Sequence, residues 1–211
     1  MSITIFASGN IEHSTDIPRL INDLKQVAME HSWGYHIIDD DFDAQPDAQL
    51  THRDSGDRAA VIEGSLGLKG IILHVGTGAE PLSILFDRDG VLTDMLQQLV
   101  WINNQQGERF TICKTQFAGI DSHLRIIEVL DSLKQSYIPS LVVNDEGGYW
   151  ESRDRRILAE KRIFLGQCLR RAEKVIAGIE ISGKGVRNPD TIASCIEEAL
   201  LKADEKNRWE L

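Results

Sequence analysis

The segment from Pro81 to Asp94 restricts the fold of this chain more than any other. It runs as an apolar strand, Leu82 to Phe86, then Asp87, Arg88, Asp89 and Gly90, then Val91 and Leu92. Two folded forms suit these residues, and they exclude each other. In the first, the strand delivers two carboxylates, two residues apart, to a site where they hold magnesium and act on a phosphoryl group. The chain must then run on into a crossover helix. In the second, Asp-Arg-Asp-Gly is a hairpin turn. The aspartates accept bonds from turn amides, Gly90 takes the positive φ that closes the loop, and Val91–Leu92 returns beside 82–86.

An apolar strand ending in Asp-x-Asp-Gly-Val-Leu-x-Asp resembles the first motif of the haloacid dehalogenase phosphatase superfamily. The resemblance implies that Asp87 attacks phosphorus, that Asp89 handles the leaving-group proton, and that both help hold Mg2+. It further implies a hydroxyl at Thr115, a lysine at Lys134 and acids at Asp145 or Glu146. The order of these residues fits the superfamily, but the spacing does not. Between Thr115 and Asp145 there is room for one helix and one strand end, where the superfamily places a further β-α unit. About 80 residues with strands of their own precede the motif, which normally opens its domain. The turn needs none of these extra parts, so the hairpin is the preferred expectation.

Around this segment the periodicities alternate between strand and helix. Ile3 to Ala7 reads as a strand. Ile17, Leu20, Ile21, Leu24, Val27 and Ala28 make 16–31 an amphipathic helix, with Ser14, Thr15 and Asp16 as caps and Pro18 in the first turn. Trp33 to Ile38 is a second strand, and this β-α-β opening places both strands in one sheet. Residues 39–58 carry seven aspartates and little apolar content, which predicts a mobile acidic loop. Strands follow at 61–62 and 70–75. A short helix is expected over 92–102, a strand over 109–115 and a helix with Leu124, Ile127, Leu130, Leu133 and Tyr137 inward, capped by Asp121 or Ser122. Leu141 to Val143 forms a buried strand. From Asp154 a long helix carries Ile157, Leu158, Phe164, Leu165, Cys168 and Leu169 on one stripe, and Asn188 caps a last helix. The expected fold class is α+β: a mixed sheet with an N-terminal β-α-β unit, a central β-hairpin and a C-terminal helical hairpin. Residues 1–152 form the sheet-bearing domain and 153–211 the helical hairpin packed on it, or the two form a single domain.

Composition narrows the function. The chain of 211 residues has a net charge of −10. That disfavours broad nucleic-acid binding and docking on anionic membranes, both of which need a basic surface. No apolar run approaches the roughly 18 residues of a membrane span. Cys113, Cys168 and Cys195 are far apart and odd in number. They predict reduced thiols in a cytoplasmic protein, not a disulfide framework or a zinc site.

One polar cluster stands out. Residues 114–123 link a strand to a helix, and 144–151 follow the next strand. If the two strands are neighbours and parallel, both loops emerge at one end of the sheet, where α/β sheets commonly bind ligands. His123 can work as an acid or base with Asp145 or Glu146 orienting it. Lys114 can hold an anion, Tyr149 and Trp150 can stack on a flat ligand, and Gln116 and Glu151 complete the candidate set. The competing expectation is that Lys114–Glu146 and His123–Asp145 are structural pairs. His74 near Glu80 is a weaker candidate, more simply a satisfied buried histidine. Gly183-Lys184-Gly185 lacks the strand that a phosphate-binding loop requires.

The expected function is therefore that of a bacterial-type cytoplasmic protein binding a small molecule or a protein, with a regulatory or immunity-like role. Its alternatives are the magnesium-dependent phosphohydrolase built on Asp87 and Asp89, and an assembly protein that forms a homodimer through 154–206.

Overall fold

The computed structural model describes residues 2–52 and 60–177. The class is α+β. The strands are β1 (Thr4–Ser8), β2 (Gly34–Asp39), β3 (Gln49–His52), β4 (Ala60–Glu63), β5 (Lys69–His74), β6 (Leu82–Phe86), β7 (Leu92–Thr93), β8 (Thr111–Lys114) and β9 (Val142–Asp145). The helices are α1 (Ile17–Glu30), α2 (Met95–Asn104), α3 (Ile120–Ser136), α4 (Tyr149–Ser152) and α5 (Arg155–Ala177).

The strands sort into a three-stranded sheet, β8-β1-β9, a four-stranded sheet, β2-β5-β6-β7, and a separate β3-β4 pair. Every pairing among the described residues is antiparallel, where a mixed sheet was expected. The opening β-α-β unit also divides. β1 lies between β8 and β9, while β2 pairs with β5. The division follows from β1 taking partners more than a hundred residues away in preference to its sequence neighbour.

The hairpin forms. Leu85 pairs with Thr93 and Phe86 with Leu92. Gly90 N–H donates to Asp87 O at 3.0 Å. Asp87 Oδ1 accepts from the amides of Asp89 at 3.0 Å and Val91 at 2.9 Å. Gly90 has φ +77°, and a Cβ there would lie 2.9 Å from Ile11 O, so no larger residue fits without strain. The turn is clasped by the chain leaving β1, through Ile11 N–H to Gly90 O and Leu92 N–H to Gly9 O, both 2.9 Å. These bonds tie the two larger sheets together.

Helices α1 and α3 share one core with these sheets. Leu20 and Leu24 of α1 and Ile126, Ile127 and Leu130 of α3 are buried with Ile5, Ile71, Leu73, Ile84 and Phe86. Burying each such side chain contributes about 1.5–3 kcal/mol. The cap of α3 is Gly119, and Asp121 sits inside the first turn. The loop expected over 39–58 is shorter than predicted. Gln49 to His52 becomes β3 because Leu50 and Thr51 pair with Ile62 and Val61, β-branched and apolar partners that suit a pleat.

The chain divides into two compact units, with the boundary inside α5 between Ala159 and Glu160. Of the expected α5 stripe, Leu158 and Leu165 are buried, while Ile157, Phe164 and Leu169 are exposed. The second helix of the expected hairpin, its Asn188 cap, Gly183-Lys184-Gly185 and Cys195 lie outside the described residues. Among the described residues, no helix is long and apolar enough to cross a membrane.

Candidate functional site

The two polar loops do meet at one sheet edge. β8 and β9 are not neighbours, but each runs antiparallel to β1, so they are parallel to each other across it. Their C-terminal ends therefore emerge together, beside the N-terminal end of β1. That end stitches the loops in place. Thr115 N–H donates to Ile3 O at 2.9 Å and Glu146 N–H to Thr4 O at 3.0 Å. Glu146 Oε2 accepts from Ser2 Oγ at 2.7 Å and Thr4 N–H at 3.0 Å.

Beneath this edge lies a chain of three side chains. His123 Nε2 is 3.2 Å from Asp145 Oδ2, and His123 Nδ1 is 2.7 Å from Thr115 Oγ1. A carboxylate only accepts, so the bond to Asp145 places a proton on His123 Nε2, while Thr115 Oγ1, which also donates to Ile3 O at 3.3 Å, is the partner of Nδ1. Asp145 takes three further bonds, from Gly147 N–H on Oδ1 and from Tyr149 and Trp150 N–H on Oδ2, at 2.7–3.0 Å. Burial alone would raise its pKa. The His123 side chain and the Trp150 and Gly147 amides outweigh that and hold the carboxyl below its ordinary range.

Carboxylate, imidazole and hydroxyl in this order form the constellation of a nucleophilic relay. Here it is closed off. Thr115 and His123 are 0% exposed and Asp145 4%, so the hydroxyl meets no substrate. The His123–Asp145 pair expected as acid/base machinery is a buried clamp joining β8, α3 and the loop after β9. Spacing carried a signal for this. His123, Ile126, Ile127, Leu130 and Leu133 share the buried stripe of α3, and Leu124, expected inward, is only half-buried.

The other candidates are more superficial. Lys114 is exposed and faces Glu80 at 3.7 Å, not Glu146. Gln116 is half-buried and Glu151 exposed. Tyr149 and Trp150 pack against the core, and Trp150 lies under the Arg153 and Lys134 cations at 4.7 and 5.8 Å. The residue absent from the expected set is Phe117. It is 69% exposed on a turn closed by Ala118 N–H to Thr115 O at 3.0 Å. Ala118 is buried below it. Gly78, at φ +83°, packs so close to the Phe117 carbonyl that any Cβ would collide with it.

The parts of the phosphatase arrangement fall into separate networks. Asp87 is buried, with Oδ1 given to its own turn and Oδ2 facing the Arg109 guanidinium. Arg109 lies 4.4 Å over the Trp101 ring. A magnesium ion does not fit here, because that guanidinium already supplies the positive charge Asp87 faces. Asp89 is exposed. Lys134 donates to Leu141 O at 2.8 Å, and Thr115 and Asp145 are bound to His123. Among the described residues, no group of three or more His, Cys, Asp or Glu side chains is placed to hold a metal ion. His74 is exposed, against the expectation of burial. Cys113 is buried, its thiol pushed up to about 12 by burial and by Glu80, so it stays protonated at neutral pH.

No protein-family model, curated protein or solved structure matches this chain.

Proposed function

We propose that this chain is a protein-binding protein, regulatory or immunity-like, whose contact surface is the 114–123 and 144–151 edge with Phe117 at its centre. The observation that carries this reading is an aromatic side chain 69% exposed on a rigidly built turn. Aromatic anchors dominate the energetics of protein interfaces. The backbone of Phe117 is fixed from three sides, by β1, by Gly78 and by the buried Thr115–His123–Asp145 clamp. A turn ordered in advance loses little entropy on binding. A ring this exposed on a turn suits insertion into an apolar pocket of a partner protein. On this edge Glu80 pairs with Lys114 at 3.7 Å and Asp121 with Arg155 at 2.8 Å, while Glu146 and Glu151 are exposed.

The test is calorimetry with a partner captured from the source cells, identified and purified. The reading predicts that Phe117→Ser weakens binding at least tenfold while leaving the melting temperature of the free protein unchanged or higher. Equal affinity for the two forms would refute it.

The homodimer is a second reading, favoured by Ile163, Phe164 and Leu169, each 47–60% exposed on α5. Light scattering at micromolar concentration tests it. A dimer lost in Leu169→Glu supports it, and a monomeric native chain removes it.

A further inference from the structure

The outer edge of β2 is open. β2 ends the four-stranded sheet, with β5 on its inner side. Among the described residues, no second strand pairs with it, and all of its residues but Ile38 are exposed. An open edge carries a row of unpaired N–H and C=O groups that template another strand. Lysine, proline and bulges are the usual blocks to such pairing, and β2 has none of them.

Side chains add an apolar rim on one face. Tyr35 pairs with Leu73 and Ile37 with Ile71, so both lie on the face where Leu20 and Leu24 of α1 are packed. They are nevertheless 40% and 38% exposed. Pro18, Asn22, Lys25 and Met29 form one stripe of α1 by helical spacing. The Lys25 ammonium lies 6.0 Å over the Tyr35 ring, which sets this stripe beside β2. Toward the Asp39 end, Pro18, Ile21, Ile37 and Phe42 line an open groove of about 430 Å³.

Charge selects the occupant. The Tyr35 end carries Lys25, which is in no ion pair among the described residues. Of the acids on the same helix, Asp23 takes the Tyr137 hydroxyl, and Glu30 lies about 100° round α1 from Met29. The other end of β2 runs into Asp39, Asp40 and Asp41. Asp39 pairs with Lys69 at 2.7 Å, and Asp40 accepts from Leu68 N–H at 3.1 Å. Asp41 is exposed and holds the Asp43 amide. The edge is therefore basic at one end and acidic at the other. An antiparallel copy of the same edge matches these ends twice, whereas a parallel copy sets like against like.

We infer that β2 pairs with β2 of a second copy of this chain, antiparallel about a two-fold axis, so that the sheet runs on through the joint. Centred on His36, the pairing sets Tyr35 of each copy against Ile37 of the other, a favourable aromatic and β-branched pair. Each Tyr35 ring then covers the groove beside the other copy's Ile37. None of these residues belongs to the Phe117 edge or to α5.

Light scattering of the full chain at tens of micromolar reads the assembly state. Hydrogen exchange of the 34–39 amides at low and high protein concentration reads the strand pairing. The native chain is expected to be a dimer in which alternate amides of 34–39 exchange at least tenfold more slowly than in the monomer. Ile37→Lys should weaken dimerisation at least tenfold. Because Ile37 also packs on the sheet, Lys25→Glu is measured beside it and should weaken dimerisation at least threefold with unchanged melting. Leu169→Glu should remain dimeric, which separates this surface from α5. A monomeric native chain, a dimer whose 34–39 amides ignore concentration, a dimer lost in Leu169→Glu, or one that survives both Ile37→Lys and Lys25→Glu would each overturn the inference.

Discussion

His123 Nε2 meets Asp145 Oδ2 at 3.2 Å, and neither side chain is reached by solvent. The two residues belong to different elements, one in the first turn of α3 and one at the end of β9. Each gives the other the partner that burial demands. Together with Thr115 they hold three segments in register under the surface that carries Phe117.

Removing one partner should be costly. His123→Ala leaves the buried Asp145 carboxylate short of a donor and opens a cavity beside Ile126 and Leu130 on the α3 stripe. The expected loss is about 3 kcal/mol in urea unfolding at neutral pH. A loss below about 1 kcal/mol would mean that the pair does not carry the clamp.

The same pair sets an acid dependence. The folded pKa of Asp145 is depressed relative to the unfolded chain. The unfolded state therefore takes up the proton first. The contribution of Asp145 is fully present above the unfolded carboxylate pKa of about 3.9 and is lost as pH falls through the folded value. Asp145→Asn should be less stable than native at neutral pH, and the gap should narrow below about pH 4. Parallel stability curves would contradict this.

Asp94 has the opposite sign. Burial raises its pKa, and the Gln97 and Leu96 amides offset this only in part. Its folded value lies above the unfolded one, so its stabilising contribution is present in acid and lost as pH rises through the folded pKa. Its side chain caps α2 by accepting from Gln97 N–H at 2.8 Å, and asparagine caps equally well. Asp94→Asn should be neutral or stabilising at neutral pH, whereas Asp94→Ala should cost about 1 kcal/mol. Thermal melts of the two variants distinguish these outcomes.

The hairpin predicts a strong response at its turn. Gly90→Ala forces a Cβ toward Ile11 O at positive φ and should cost about 1–3 kcal/mol. Millimolar magnesium should leave the native melting temperature unchanged. Magnesium-dependent hydrolysis of an aryl phosphate, abolished by Asp87→Asn, would contradict the placement of Asp87 against Arg109.

What could be read from the sequence was local. Asp-x-Asp-Gly specified a turn because Asp87 bonds to amides two and four residues on and Gly90 alone tolerates the φ. The apolar spacing of Ile17, Leu20, Leu24 and Ala28 specified α1. The partition into sheets was not legible, because β1 pairs with strands whose register is set by tertiary packing and not by any neighbouring residue. His123 was legible as chemistry but misplaced. Reading the α3 stripe from 123 instead of 124 puts the imidazole in the core. Phe117 gave little signal, since a single phenylalanine in a loop has no periodicity to show which way it faces.

The most direct test of the binding account is amide hydrogen exchange across the chain with and without the purified partner. The account predicts slowed exchange concentrated at 114–119, with 75–81 and 144–151 beside it, and none of this slowing in Phe117→Ser. Protection confined to α5 or to the 42–46 loop, with 114–119 unchanged, would contradict it.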